Sequence, residues 1–271
     1  MAYEYPGHLC AAKNVDAVLI CSPDDWHLTH IQSALSAGKH VFCEKPLLVP
    51  EQNISALVAL FAIARECGLV LTTCHPRRND EPFLWLKDQL LRSIGEFGSV
   101  LSFSFDFSYH KPSNEWKTAR SLLLDHVNHE VDLMNFLFGL QGFGAMKLHD
   151  GFDRYDVVGK RDDGVTFHFQ GTRRLDAGIY PEWCRVRFER GEIELDMMRG
   201  VARIIDHEER DVEVVPNLAI DYDGRLCGVM TDFAQEIDGE PGYLSIPEML
   251  MNTEAGIILQ QEGWQRVEIR R

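Results

Sequence analysis

Three short, almost uninterrupted apolar runs lie near the start of the chain, at residues 15–21, 40–43 and 70–74, with two segments of helical periodicity between them. A run that is apolar throughout suits a strand covered on both faces, as in a parallel sheet. Ser22-Pro23-Asp24-Asp25 breaks the first run. His27 to Ala37 then reads as a helix, with Leu28, Ile31, Ala34 and Leu35 on one face and Gly38 in the position after its C-cap. Pro50 is suited to the first turn of the next helix; Ile54, Leu57, Val58 and Phe61 supply its stripe, and Gly68 ends it. Strand–helix–strand–helix–strand at this spacing is two βαβ units, hence a parallel sheet with right-handed crossovers.

The grammar changes after His75-Pro76. A helix over residues 82–91 precedes an alternating strand over 98–109, in which Leu101, Phe103 and Phe105 share one face. A helix over 121–138 closes at Gly139. Strands follow at 164–170, 184–188 and 192–196, the last two across an Arg190-Gly191 turn, and helices over 225–237 and 247–261 finish the chain. The expected fold is α/β plus α+β: a partial Rossmann parallel sheet in residues 1–75, then an open-faced, mostly antiparallel sheet with helices in residues 76–271. Phe103, Phe105, Phe167 and Phe169 form an apolar sheet face that needs a cover. The expectation is a homodimer, or a higher homo-oligomer, packed through that sheet.

The 271 residues are 45% hydrophobic and 25% charged, ordinary for a globular domain. A net charge of −15 argues against a nucleic-acid partner, which would call for a basic footprint. The seven cysteines are scattered without a C-x-x-C pair, as in a reducing compartment. No secretory pattern or membrane-length apolar run occurs, so the expected location is the cytoplasm, with no membrane partner.

Two segments carry the chemistry. His40-Val41-Phe42-Cys43-Glu44-Lys45-Pro46 puts a lysine where a parallel strand ends, and ligands of open α/β sheets lie outside such ends. Ser22-Pro23-Asp24 occupies the equivalent end of the preceding strand. On the helix over 121–138, Leu124, Val127, Val131, Met134 and Phe138 form a buried stripe, and Asp125, His129 and Asp132 run beside it. These polar residues fit either an interfacial polar seam or a proton-handling set. A carboxylate beside a histidine can raise the imidazole pKa and fix its orientation. Arg77 and Arg78 add positive charge after the third strand, for a phosphate or carboxylate or as a solvated pair. H-E-x-x-H is absent and His126 falls on a different face from Asp125, so no metal site is expected, and a metal-dependent hydrolase built on residues 125–132 is a minor alternative.

Ser22-Pro23-Asp24-Asp25-Trp26-His27, Ala37-Gly38-Lys39-His40-Val41-Phe42-Cys43-Glu44-Lys45-Pro46-Leu47 and Asn128-His129-Glu130-Val131-Asp132-Leu133 resemble the glucose-fructose oxidoreductase/inositol dehydrogenase (Gfo/Idh/MocA) family. The similarity runs on to Ser245-Ile246-Pro247-Glu248 and covers essentially the whole chain. It implies a dehydrogenase or reductase that uses NAD or NADP on the CH–OH group of a sugar, polyol or related small molecule. By that resemblance Lys45, Asp125 and His129 fall on the catalytic lysine, aspartate and histidine, and Ser22, Pro23, His27, Glu44 and Lys45 line the nicotinamide and ribose. Asp24 stands where the family usually has asparagine, and Val127 where many members have glycine. Residues 1–14 leave no room for the family's glycine-rich turn with its strand and helix, so the chain begins roughly where the third strand of a complete member would. The expectation is a family member impaired by a shortened N-terminus. The alternative is a non-catalytic remnant that binds a small molecule or a partner subunit.

Overall fold

The computed structural model describes residues 5–110, 121–174, 181–208, 210–218 and 220–270. A short helix α1 (Pro6–Cys10) leads into strand β1 (Ala17–Ile20), helix α2 (His27–Ser36), β2 (His40–Cys43), α3 (Ile54–Glu66) and β3 (Leu71–Thr73). The three strands pair in parallel in the order β1-β2-β3. Gly38 and Gly68 follow α2 and α3 with φ of 71° and 65°, a conformation that costs a residue with a Cβ. Helix α3 starts four residues later than Pro50 suggests. The Asn53 side chain accepts the Ser55 backbone N–H at 2.8 Å, so the cap rather than the proline sets the start.

Helix α4 (Glu81–Phe97) enters the second region, followed by β4 (Val100–His110), α5 (Leu122–Phe138), β5 (Phe143–Asp150), β6 (Arg154–Arg161), β7 (Thr166–Arg174), β8 (Glu182–Phe188), β9 (Gly191–Asp196), β10 (Val201–Asp206) and β11 (Asp211–Pro216). Helices α6 (Tyr222–Ile237) and α7 (Ile246–Ile258) and strand β12 (Gln265–Val267) complete it. The sheet has nine strands in the order β11-β10-β9-β8-β4-β7-β6-β5-β12. Every pairing is antiparallel except β4 with β7. Strands β5, β6, β10, β11 and β12 were not anticipated from the sequence.

The inner face of this sheet carries Phe103, Phe105, Phe107, Phe167 and Phe169, all buried in one core with Leu86, Val127, Val131 and Met134 of α4 and α5. The apolar face that seemed to need a second copy is therefore covered by the chain's own helices, and that argument for a dimer lapses. The opposite face is polar, with Ser104, Asp106, His168, Gln170 and Arg185 outward. Helices α6 and α7 turn back: Val229 and Phe233 pack with Phe42, and Met249 and Leu250 join the core under the parallel sheet. The first region thus relies on C-terminal residues to bury its apolar surface.

Candidate active site

Helix α5 is the hub. Ser121 caps it by accepting the Leu124 N–H at 3.3 Å, which fixes Asp125 in the first turn, where the helix dipole favours a carboxylate. α5 lies between the large sheet and α7, and 13 of its residues are buried. The polar stripe beside its apolar one is therefore enclosed, not solvated.

Lys45 reaches this helix from the end of β2. Its ammonium donates to Asp125 Oδ1 at 2.9 Å and to the Asp125 carbonyl oxygen at 2.5 Å. The lysine is about one-eighth exposed and the aspartate less. His129, one turn along, has its Nδ1 shielded from solvent without a hydrogen-bond partner. Its ring meets His75 edge-on at 5.4 Å and His126 at 5.1 Å. Burial holds the His129 pKa well below the ordinary imidazole value, and the charges of Lys45, His126, His75 and Arg77 push the same way. This reverses the sequence expectation that a neighbouring carboxylate raises it. Asp125 directs Oδ1 at Lys45, and desolvation decides the histidine's state. At neutral pH His129 is an uncharged imidazole that can accept a proton.

The loops at the strand ends are stitched together. His27 is fully buried, with Nδ1 2.8 Å from the Pro46 carbonyl oxygen and Nε2 2.8 Å from the Ser22 carbonyl oxygen. It therefore ties the loop after β1 to the loop after β2. Ser22 Oγ lies 2.9 Å from His30 Nδ1, Pro23 precedes a single 3-10 turn, and the Glu44 carboxylate accepts the Lys45 backbone N–H at 3.3 Å. Ser22, Glu44 and Lys45 are partly exposed at adjacent carboxyl ends of a parallel sheet, where open α/β folds receive their ligands.

Two expectations fail here. Arg77 and Arg78 are neither solvated nor poised for an anion. Arg77 pairs with Glu182, and Arg78 holds Asp132 through Nε and Nη2 at 3.0 and 2.8 Å and Glu248 at 2.8 Å. Asn252 completes the Asp132 cluster at 2.8 Å. A metal reading of residues 125–132 finds its acids directed elsewhere, Asp132 to Arg78 and Glu130 to His126 at 2.8 Å. Among the described residues, no group of three possible ligands is arranged to hold a metal ion.

Sequence reasoning missed Arg173 and His75. Arg173, on β7, is 2% exposed with Nη2 4.0 Å from Asp125 Oδ2, on the opposite side from Lys45. A charged residue late in a strand reads as surface, so only the fold reveals it. His75 follows the third apolar run and gives no signal by itself.

Comparison with known proteins bears on this geometry. The oxidoreductase family with an NAD-binding Rossmann fold, Gfo/Idh/MocA, matches residues 2–75. A myo-inositol 2-dehydrogenase of Thermotoga maritima is 29% identical over 221 residues, covering 78% of this chain and 65% of its own length. An inositol 2-dehydrogenase of Rhizobium meliloti is 31% identical over 204 residues, covering 71% and 60%. The crystal structure of a probable dehydrogenase from Thermotoga maritima superposes with a TM-score of 0.75 at 23% identity, over 99% of this chain and 85% of that one. The matches span from 29% to 65% of the curated relatives' own lengths. No described helix is long and apolar enough to cross a membrane. The similarity is thus to Gfo/Idh/MocA oxidoreductases, by the family model over residues 2–75 and by the inositol dehydrogenases over most of the chain.

Proposed function

We propose that this protein is a Gfo/Idh/MocA-type oxidoreductase that oxidises or reduces a CH–OH/C=O centre of a sugar, polyol or related small molecule, with NAD or NADP as hydride partner. The observation that carries the proposal is the meeting of Lys45 from the parallel sheet with Asp125 of α5, one turn before an uncharged, unbonded His129. In the oxidative direction His129 takes the hydroxyl proton as the carbon gives up its hydride. The products are a carbonyl, the reduced nicotinamide and a proton on the imidazole. Lys45 donates to the substrate oxygen and stabilises the charge that develops there, and Asp125 holds the lysine in place. In the reductive direction the same groups return the proton.

Ser22, Pro23, Glu44 and Lys45 fit the nicotinamide half of the cofactor, on loops that His27 fixes. When bound, the dinucleotide supplies hydride transfer, which no side chain can. Its pyrophosphate normally rests on the N–H groups of a glycine-rich turn opening a helix, and residues 1–271 include no such turn ahead of β1. Cofactor binding is therefore to be measured both for residues 1–271 and with a glycine-rich βα unit fused ahead of β1, which would supply those N–H groups and is expected to bind more tightly. Self-association as a homodimer or higher homo-oligomer is part of the proposal, although the apolar sheet face first expected to carry it is covered by α4 and α5. Light scattering at micromolar concentration tests it, and a monomer counts against it.

The function is tested by titrating nicotinamide fluorescence and then following cofactor reduction over a panel of inositols, hexoses and their reduced forms. Reduction that depends on one of these compounds supports the proposal. Micromolar cofactor binding to residues 1–271 would contradict the role given to the glycine-rich turn. Cofactor binding by the fused protein with no turnover of any panel member would favour a small-molecule-binding remnant.

A further inference from the structure

Most arginines inside this protein have their nitrogens occupied. Arg161, fully buried, donates to Asp163 and to the carbonyls of Phe138 and Gly139, and Arg78 donates to Asp132, Tyr243 and Glu248. Arg173 differs. It is 2% exposed, yet Nε, Nη1 and Nη2 all lack a hydrogen-bond partner. Its approach to Asp125 Oδ2, at 4.0 Å, is an ion pair too long for a hydrogen bond. A guanidinium is always charged and carries five donors, and leaving them unmade in the interior is costly.

The backbone holds it there firmly. The Arg173 N–H donates to the Asp153 carbonyl at 2.6 Å, and two residues earlier a Cβ on Gly171 would lie 2.3 Å from the Tyr155 ring. Strand β7 thus runs tight against β6, and Arg173 has little freedom to seek another partner. Phe152, 44% exposed on the β5–β6 turn, stacks on the guanidinium with Cζ 4.8 Å from its ring centre. Phe152 is thus the exposed cover of the fork.

Lys45 and Arg173 flank opposite oxygens of one carboxylate, Asp125, one turn from the proposed proton acceptor His129. The unbonded planar fork of Arg173 matches a second carboxylate in bidentate fashion.

We propose that the substrate is a sugar acid whose carboxylate is received by Arg173 while its reacting hydroxyl lies between Lys45 and His129. This rests on the dehydrogenase reading of the same cleft and narrows its substrate class from neutral polyols to hydroxylated monocarboxylates. The test is calorimetric titration of the protein with D-glucuronate and D-galacturonate against D-glucose, D-galactose and myo-inositol, with glucose 6-phosphate as the phosphate arm. The acids are expected to bind about tenfold or more tightly than their neutral parents, as one charge-assisted hydrogen bond supplies. Arg173→Gln should erase that preference and Arg173→Lys keep part of it, with circular dichroism to verify folding. The wild-type ratio of acid to neutral affinity stands even if the glutamine variant fails to fold. Equal or tighter binding of the neutral sugars, preference for the phosphate, no binding of either acid, or a preference that survives in folded Arg173→Gln would each overturn the proposal. The two readings separate cleanly. Acid-selective, Arg173-dependent binding with no hydride transfer to a cofactor bound by the protein carrying a glycine-rich βα unit sinks the dehydrogenase and leaves the anion site. Turnover of neutral polyols, untouched by Arg173→Gln, does the reverse.

Discussion

Asp125 and Asp132 sit two turns apart on one face of α5, both buried and both paired with a cation from an earlier loop, yet their surroundings differ in kind. Around Asp132 the partners close on one another: Arg78 grips it through two nitrogens, Asn252 donates to it, and Arg78 donates further to Glu248 and to the Tyr243 carbonyl oxygen. Around Asp125 the network stays open. Lys45 is bonded, but the neighbouring His129 Nδ1 and all three Arg173 nitrogens have no hydrogen-bond partner. A buried polar network that is fully satisfied rigidifies a fold, whereas one with donors and acceptors left over is built to receive something. The Asp132 end joins α5 to α7 and to the loop after β3. The Asp125 end is where chemistry fits.

The largest effect that can break this contrast is Asp132→Ala. It breaks a buried ion pair and leaves Arg78 with Glu248 as its remaining carboxylate partner, and should lower the unfolding free energy by about 3–5 kcal/mol in urea. A loss below about 1 kcal/mol would mean that the Asp132 cluster is not the clamp it looks like. Next, Phe169→Ala under α5 should cost about 3–5 kcal/mol, less if the sheet collapses into the space, with little change in the Asp125 cluster. Removing the α5 cap by Ser121→Ala should cost about 1 kcal/mol. Because Asp125 lies in that first turn, this change should also weaken the Lys45 contact and lower turnover more than stability. The smallest effect sharpens the electrostatics. With its pKa held below the ordinary imidazole value, His129 loses its proton-accepting form only in acid. The acid limb of kcat/KM should therefore fall below pH about 6.5. Lys45→Met removes one of the charges that depress it, so the limb should move up in pH. A limb that stays put or moves down would contradict the arrangement.

Much of this was legible in the sequence and some was not, for identifiable reasons. The βαβαβ start reads directly, since strands covered on both faces are apolar throughout. Helix α5 reads to within a residue from the Ser121 cap and Gly139. Strand β6 was hidden because two of its four buried positions are Gly159 and Arg161, so its inward face does not look apolar. Exposed β11 pairs only with β10 and offers little contrast between its faces. At the site, Lys45, Asp125 and His129 could be singled out by strand-end position and helical spacing. Arg173 could not, because its inward direction depends on the pairing of β7 between β4 and β6. The unbonded state of its nitrogens depends on what the other strands bring near.

The most direct test is single-turnover reduction of the nicotinamide by a substrate of the cleft, in the protein carrying a glycine-rich βα unit, comparing wild type with His129→Ala and Asp132→Ala. The predicted result is a loss of about 10²–10⁴-fold in the rate for His129→Ala with cofactor affinity unchanged. Folded Asp132→Ala should keep its rate within about tenfold and show its defect in stability instead. A His129→Ala protein that reduces the cofactor at the wild-type rate, or an Asp132→Ala protein that is stable but inactive, would contradict the assignment of chemistry to the Asp125 end of the helix.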